Sequence, residues 1–311
     1  MKTHNKTPVF AGLGILAALV LVFGSCRHLA AVAGAGAQIA GAAGVIDQNT
    51  ANAISKSSQA VGSAAEDITP EQEYYIGRAV GANILTNYKL WNGSPALTAY
   101  LNRICRAITI NSPKPEIFNG YHVMILDSNE INAFATSGGH IFITRGLIAG
   151  ANSEDALAGV IAHEIAHIQL QHSIKAIKTS RITQALLVTG TSAAGAAAGY
   201  DVNELTDVFN ESVGEIVTTM VNNGYSQNQE FDADSTALEL LASSGYNPSG
   251  LIDMLKTLDK IQGGSSGGFN KTHPRPAQRI NSAEKSLNKY KVADTGSFRR
   301  ERYAAFAAAG H

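Results

Sequence analysis

One short stretch limits the possible folds of this chain more than any other: residues 160–172, which read VIAHEIAHIQLQH. Its apolar residues recur with helical periodicity, and neither Gly nor Pro interrupts it. His163 and His167 stand four residues apart, so both imidazoles project from one face of the predicted helix, with Glu164 beside the first. A buried amphipathic helix has no need of this arrangement. The stretch therefore indicates a metal-binding helix, provided that the chain offers a third ligand.

The candidate third ligand lies in residues 225–248, which read YSQNQEFDADSTALELLASSGYNP. Hydrolytic zinc sites use three protein ligands and leave the fourth position to water. A capping box formed by Ser226 and Gln229 predicts a helix start, and Glu230 and Asp234 then share one helical face. If Glu230 binds the metal, Asp234 is placed to accept a hydrogen bond from a ligand histidine. The alternative is a set of solvated carboxylates near a helix N-terminus, where the helix dipole tolerates them.

The remaining pattern predicts an α+β fold. Residues 121–127 and 139–146 have the composition of strands. Helix starts are marked by capping residues at three further places: Thr69 with Pro70 and Gln72, Ser94 before Pro95, and Asn152 or Ser153 before two acidic residues. The order is two helices, a small sheet and then helices to the end, so we expect a mainly helical domain with a small mixed sheet beside the motif helix.

Residues 1–25 predict a lipoprotein signal peptide. Lys2 and Lys6 precede a 15-residue apolar stretch, VFAGLGILAALVLVF, which is shorter than the about 20 residues that span a membrane. The following letters, LVFGSC, resemble a bacterial lipobox, which implies cleavage before Cys26 and lipid modification of that cysteine. The residue after the cysteine is Arg27 rather than Asp, which resembles the lipoproteins that travel to the outer membrane. Ordinary signal cleavage after AVA at 31–33 is the alternative.

Composition divides the rest of the chain. Residues 26–68 are rich in Ala and Gly and predict a tether, residues 69–292 a metallopeptidase domain, and residues 293–311 a C-terminal tail. Residues 183–199 are too few to span a membrane, and they are predicted to form a packed helix. Cys105 lies in an apolar helical pattern and is expected to be a buried thiol. A net charge of −1 without a dense basic run makes nucleic acid an unexpected partner.

Four motifs in order, NAFA…GGHIFITRGL, HEIAH, EFDAD and HPRPAQRI, resemble the zinc metalloproteases that include HtpX, the CAAX prenyl protease, BepA and LoiP. The similarity covers roughly residues 70–290. It implies a zincin-type fold with one Zn²⁺ per chain, held by His163, His167 and Glu230 as in gluzincins. It also implies that Glu164 activates the attacking water.

The resemblance gives HPRPAQRI a role as well. His273 and Arg279 are the candidate donors to the oxyanion of the transition state. Residues 261–274, IQGGSSGGFNKTHP, predict a flexible loop between helices that delivers His273. In BepA-like relatives a loop histidine can approach the zinc, which implies a self-inhibited state here. The alternative is a loop that merely connects helices, with His273 capping the next one.

The substrate is expected to lie extended across the cleft. A strand near His140 and Ile141, with Asn132 and Ala133 close by, is predicted to supply main-chain hydrogen bonds by strand addition. The other histidine side chains of these stretches are interpreted as structural: His122, His172 and the ring of His140.

The functional hypothesis is a lipid-anchored zinc endopeptidase that faces the periplasm, on the outer membrane. Its expected substrates are extended, unfolded or misassembled envelope polypeptides, and the expected role is quality control, with the outer-membrane assembly machinery as a further partner. The alternative is a chaperone or assembly factor that uses the same cleft with little cleavage. An intact HEIAH motif, together with a glutamate as the third candidate ligand, argues against a non-catalytic protein.

Overall fold

A computed structural model describes residues 26–52, 54–55, 68–175, 213–214, 216–218, 223–262, 268–274, 276–290 and 296–309. The chain forms two compact units, residues 1–67 with 178–205 and residues 68–177 with 206–311. In the first unit, helix α1 (Cys26–Ala42) forms within residues 26–68, the predicted tether. The predicted helix at 183–199 lies outside the described residues. Within the described ranges, no helix combines the length and hydropathy of a membrane-crossing segment.

The second unit confirms the predicted α+β fold, which is mainly helical with a small mixed sheet. Its elements in chain order are α2 (Pro70–Asn87), α3 (Pro95–Thr109), β1 (His122–Leu126), β2 (Ala133–Thr136), β3 (His140–Thr144), α4 (Arg145–Gly150), α5 (Glu154–Gln169), α6 (Gln227–Ser243), α7 (Ser249–Gln262), α8 (Phe269–Thr272), α9 (Pro276–Ser286), a 3₁₀ turn (Leu287–Lys289) and α10 (Gly296–Ala309).

The helix starts predicted from capping residues are confirmed. Thr69 caps α2 in a complete capping box with Gln72, and Ser226 does the same for α6 with Gln229. Ser153 caps α5, because its hydroxyl accepts from the Ala156 amide at 3.1 Å. Each cap satisfies an amide that the helix leaves unpaired at its first turn.

The sheet has the strand order β1-β3-β2, with β3 parallel to β1 and antiparallel to β2. Because β3 lies in the middle, the main chain of His140 and Ile141 is paired on both sides, and no peptide can add along these two residues. This part of the substrate expectation is corrected. Asn132 directly precedes β2 and Ala133 begins it, and in this sheet β2 is an edge strand.

Helix α5, which carries the metal motif, is the centre of the core. Its residues are buried on nearly every side, and it packs against α6, α7, α3 and β2. Gly159 lets α7 approach closely, since a Cβ at that position would lie 2.7 Å from the Leu251 Cα. Cys105 of α3 belongs to the same core and is buried, as expected.

Helix α10 lies within residues 293–311, the predicted C-terminal tail. Arg302 donates to the buried carboxylate of Glu154 through both Nε, at 2.7 Å, and Nη2. The ring of Phe306 stacks on Tyr100 with the centroids 3.8 Å apart. Helix α10 therefore packs on the N-terminal end of α5, which is the helix that carries the metal motif.

Candidate metal centre

Four buried side chains converge in the second unit: His163, His167, Glu230 and His273. One nitrogen or oxygen atom from each lies within 4.8 Å of the other three. The Nε2 atoms of His163 and His167 are 3.0 Å apart, and His273 Nδ1 lies 3.2 Å from His163 Nε2 and 3.1 Å from Glu230 Oε1. Helix α5 supplies two of these residues, the first turns of α6 supply the third, and His273 directly follows α8.

The chemistry of this donor set fits a divalent metal ion. Three imidazole nitrogens and a carboxylate oxygen suit Zn²⁺ and other borderline cations. Burial, together with the neighbouring His163 and His273, places the pKa of His167 well below its ordinary value, so its ring is neutral. Burial alone raises the pKa of Glu230, but Arg279 and His273 outweigh burial and lower it, so the carboxylate is ionised. A neutral imidazole and an ionised carboxylate are the states that coordinate metals.

The outer nitrogens of the two motif histidines have their own partners. His163 Nδ1 lies 3.0 Å from Asp234 Oδ1. His167 Nδ1 lies 2.9 Å from His172 Nδ1. Burial lowers the pKa of His172 to about 4, so this ring is neutral and can accept a hydrogen bond. Both contacts leave the Nε2 atoms free to point at the centre of the cluster.

The contact of His172 with His167 was not predicted, because the sequence led us to interpret His172 as structural. Helix α5 ends at Gln169, and Gln171 has a positive φ of 56°, so the regular path of the helix ends before His172. His172 therefore folds back against His167. Helical periodicity cannot predict the position of His172, because this residue lies beyond the end of α5.

Glu164 lies beside the cluster with its carboxylate buried. Neither of its oxygens has a hydrogen-bond partner among the described residues, and Oε1 lies 3.4 Å from His273 Nε2. Burial raises the pKa of this carboxyl group above its ordinary value, although the charge of His273 opposes the shift. A carboxylate with raised proton affinity and no internal partner is well suited to take up a proton.

Arg279, the second oxyanion candidate, is paired in this structure. Its Nε and Nη2 donate to the two oxygens of Asp234 at 2.8 Å and 2.7 Å. Its Nη1 lies 2.8 Å from Glu230 Oε2. The guanidinium therefore bridges Glu230 and Asp234, the two carboxylates that share one face of α6.

The segment 268–273 holds His273 in the cluster. The Phe269 amide donates to the Ile131 carbonyl at 2.8 Å, and the Thr272 hydroxyl donates to Asn132 Oδ1 at 3.1 Å. The ring of Phe269 stacks on that of His273 with centroids 4.4 Å apart. The glycine-rich part of the predicted flexible loop, residues 263–267, lies outside the described residues.

Comparison with known proteins identifies the family. The chain matches peptidase family M48 over residues 95–287, a range that contains every residue of the cluster. The chain belongs to peptidase family M48. The resemblance stated from the motifs is thereby confirmed, and this M48 chain is a metalloendopeptidase.

The relatives of this M48 chain include proteins of bacteria and yeast. Metalloprotease LoiP of Escherichia coli is 29% identical over 188 residues, which cover 60% of this chain and 70% of LoiP. The beta-barrel assembly-enhancing protease of E. coli is 26% identical over 218 residues, or 70% of this chain and 43% of that protein. The mitochondrial metalloendopeptidase OMA1 of Schizosaccharomyces pombe is 28% identical over 197 residues, 63% of this chain and 54% of OMA1. The chain thus spans about half of the last two relatives.

Proposed function

We propose that this chain is a zinc-dependent endopeptidase in which His163, His167 and Glu230 hold one Zn²⁺ and Glu164 is the general base. The observation that carries the proposal is the convergence of these buried ligand atoms, with Asp234 and His172 on the outer nitrogens of the two histidines. A bound zinc ion supplies Lewis acidity, which polarises the scissile carbonyl and acidifies water. The protein must then move the proton and stabilise the oxyanion.

Glu164 moves the proton. Its carboxylate takes a proton from the attacking water at one oxygen and later passes it to the nitrogen of the leaving amine. Burial raises the pKa of Glu164, so the carboxylate accepts the first proton more readily than an exposed glutamate does. The neighbouring Glu230 remains ionised because Arg279 and His273 outweigh its burial. The two buried glutamates therefore have separate roles.

The edge of β2 that does not pair with β3 is the proposed place for an extended substrate. In the antiparallel pairing with β3, alternate main-chain groups of β2 point away from β3, and those of Ala133 and Ala135 do so. The Phe269 amide already bonds to Ile131, which continues this edge. Strand addition along main-chain groups tolerates most side chains, so it suits a protease that acts on unfolded chains.

Metal removal tests the proposed activity directly. We expect the purified protein to contain one zinc ion per chain and to cleave casein, to lose cleavage after chelation and dialysis, and to regain it with Zn²⁺. Since the ligands are buried and pre-arranged, restoration is expected to need about one equivalent of zinc. A zinc-loaded protein that leaves casein intact would contradict the assignment. His167→Ala, which removes one ligand, is the matched control that should neither retain zinc nor regain cleavage.

His273 is proposed to close the site in the resting state. In its neutral form, the His273 ring would take a fourth ligand position on a bound ion, so a substrate-ready centre would require it to leave. We expect His273→Ala to raise basal casein cleavage several-fold and to release zinc faster to a chelator. If His273 instead donates to the oxyanion, His273→Ala should lower kcat and retain zinc. Unchanged cleavage together with unchanged zinc release would remove both roles from His273.

Envelope localisation and the lipid anchor are proposed together. The support is the LVFGSC stretch ending at Cys26 and the similarity to the beta-barrel assembly-enhancing protease and LoiP. We propose that the chain is anchored to the outer membrane, faces the periplasm and removes misassembled envelope proteins there, in contact with the assembly machinery. Cys26→Ser should leave an uncleaved signal or release the protein from the membrane fraction, because stable anchoring needs acyl chains. A wild-type protein found only in the soluble periplasmic fraction contradicts the anchor.

A further inference from the structure

Tyr225 lies against the metal cluster but has no role in the chemistry described so far. Its ring stacks on the His167 imidazole, with centroids 4.2 Å apart and planes inclined by 22°. Its main-chain amide donates to the Thr272 carbonyl at 3.1 Å, which ties it to the segment that precedes His273. The residue is thus held by one side-chain and one main-chain contact on the boundary of the site.

The hydroxyl group of Tyr225 is buried and unsatisfied. The residue is 5% exposed, and its Oη has no hydrogen-bond partner among the described residues. Burial raises the pKa of the phenol, and the negative charges of Glu164 and Glu230 raise it further, so the hydroxyl keeps its proton. Buried donors are nearly always paired in folded proteins, so an unpaired one beside a reactive centre calls for a ligand.

The two donors suggested by the motifs are already engaged. Arg279 bridges Asp234 and Glu230, and His273 contacts Glu230 and Glu164. Using either one on the substrate means breaking an ion pair within a buried site. The Tyr225 hydroxyl breaks no contact between described residues when it donates. It also carries no charge, so it does not repel a metal ion.

We propose that Tyr225 is a catalytic residue whose phenol donates a hydrogen bond to the oxyanion of the tetrahedral intermediate. The proposal rests on the endopeptidase function proposed above. Donors positioned before the reaction stabilise this developing charge without reorganisation, and the loss of one donor costs about 10²–10³-fold in kcat. The interaction is stronger in the transition state than with the neutral substrate carbonyl, so it acts on kcat and leaves KM nearly constant.

The experiment compares wild type with Tyr225→Phe, which keeps the stacking ring and removes only the hydroxyl. We expect kcat for casein-derived peptides to fall about 10²-fold with KM within a factor of two. Zinc content should stay at one ion per chain, and the melting temperature of the metal-free protein should stay unchanged or rise. The matched control is Tyr246→Phe, since the Tyr246 hydroxyl bonds to Glu154 at 3.2 Å, away from the metal cluster. That variant should melt earlier and keep its kcat.

Inhibitor binding separates contact with the oxyanion from mere positioning of His167. A phosphinic peptide carries tetrahedral oxygens and mimics the intermediate, so Tyr225→Phe should weaken its binding about as much as kcat. Wild-type kcat in Tyr225→Phe overturns the proposal, and so does a kcat loss accompanied by zinc loss or by unchanged phosphinate affinity. If zinc-loaded wild type cleaves nothing, the endopeptidase proposal fails, while phosphinate affinity still reports on the Tyr225 donor.

Discussion

Glu164→Gln is expected to bind zinc like the wild type and to hydrolyse peptides about 10³-fold more slowly, because only the general base is lost. The structure sharpens this expectation. Neither oxygen of Glu164 is hydrogen-bonded to a described residue, so the substitution removes no internal hydrogen bond that the structure shows. Removing a buried ionisable group from this position should leave stability unchanged or slightly raise it. The measurements are zinc content, casein cleavage and the melting temperature of one preparation.

The control for Glu164→Gln is the same substitution at Glu154, on the same helix. Glu154 is buried and accepts from Tyr100 at 2.7 Å and from Arg302 at 2.7 Å, so Glu154→Gln should lower the melting temperature and keep kcat. Comparing Glu164→Gln with Glu154→Gln therefore distinguishes a loss of catalysis from a loss of stability, because both residues lie on α5. Equal casein cleavage by wild type and Glu164→Gln, after contaminating proteases are removed, would refute the hydrolase mechanism. It would favour a holding function for the cleft.

Local signals in the sequence predicted much of the second unit. Helix caps act within three residues, so Thr69, Ser153 and Ser226 could be identified without tertiary information. The spacing of His163 and His167 placed both imidazoles on one face of α5, and they converge in the structure. Each of these inferences depends only on backbone periodicity or on a single turn of helix.

Features that depend on distant parts of the chain could not be predicted in the same way. Strand composition indicated β3 but could not show that β1 and β2 pair with both of its edges, which removes it as a substrate strand. The place of His172 depends on the left-handed conformation of Gln171, with φ 56°, just after the end of α5. Helix α10 packs on α5 through contacts between residues about 150 positions apart, such as Arg302 and Glu154. No local period encodes such contacts.

The ion pairs of Arg279 also join residues that are far apart in the chain, and no local pattern predicts them. Arg279→Met is expected to destabilise the protein by about 3–5 kcal/mol, because it leaves the carboxylates of Glu230 and Asp234 buried without their cation. For a domain of this size that loss corresponds to a melting temperature about 10 °C lower or more. Zinc should restore part of the stability, since a metal ion that binds only the folded state returns positive charge to Glu230. Thermal unfolding with and without zinc measures both effects.

Two further substitutions decide whether Arg279 stabilises the site or the transition state. Arg145→Met is the matched control, because Arg145 forms a half-exposed pair with Asp127 at 2.8 Å that is worth about 1 kcal/mol or less. Arg279→Lys keeps the charge but loses the two-pronged contact with Asp234, so an intermediate loss of stability is expected. If Arg279→Lys melts like the wild type while its kcat falls about 10²-fold, the guanidinium serves the oxyanion after all. Because Asp234 and Glu230 engage Arg279 from both sides, we expect stability to change first and kcat to follow only through the metal ligands.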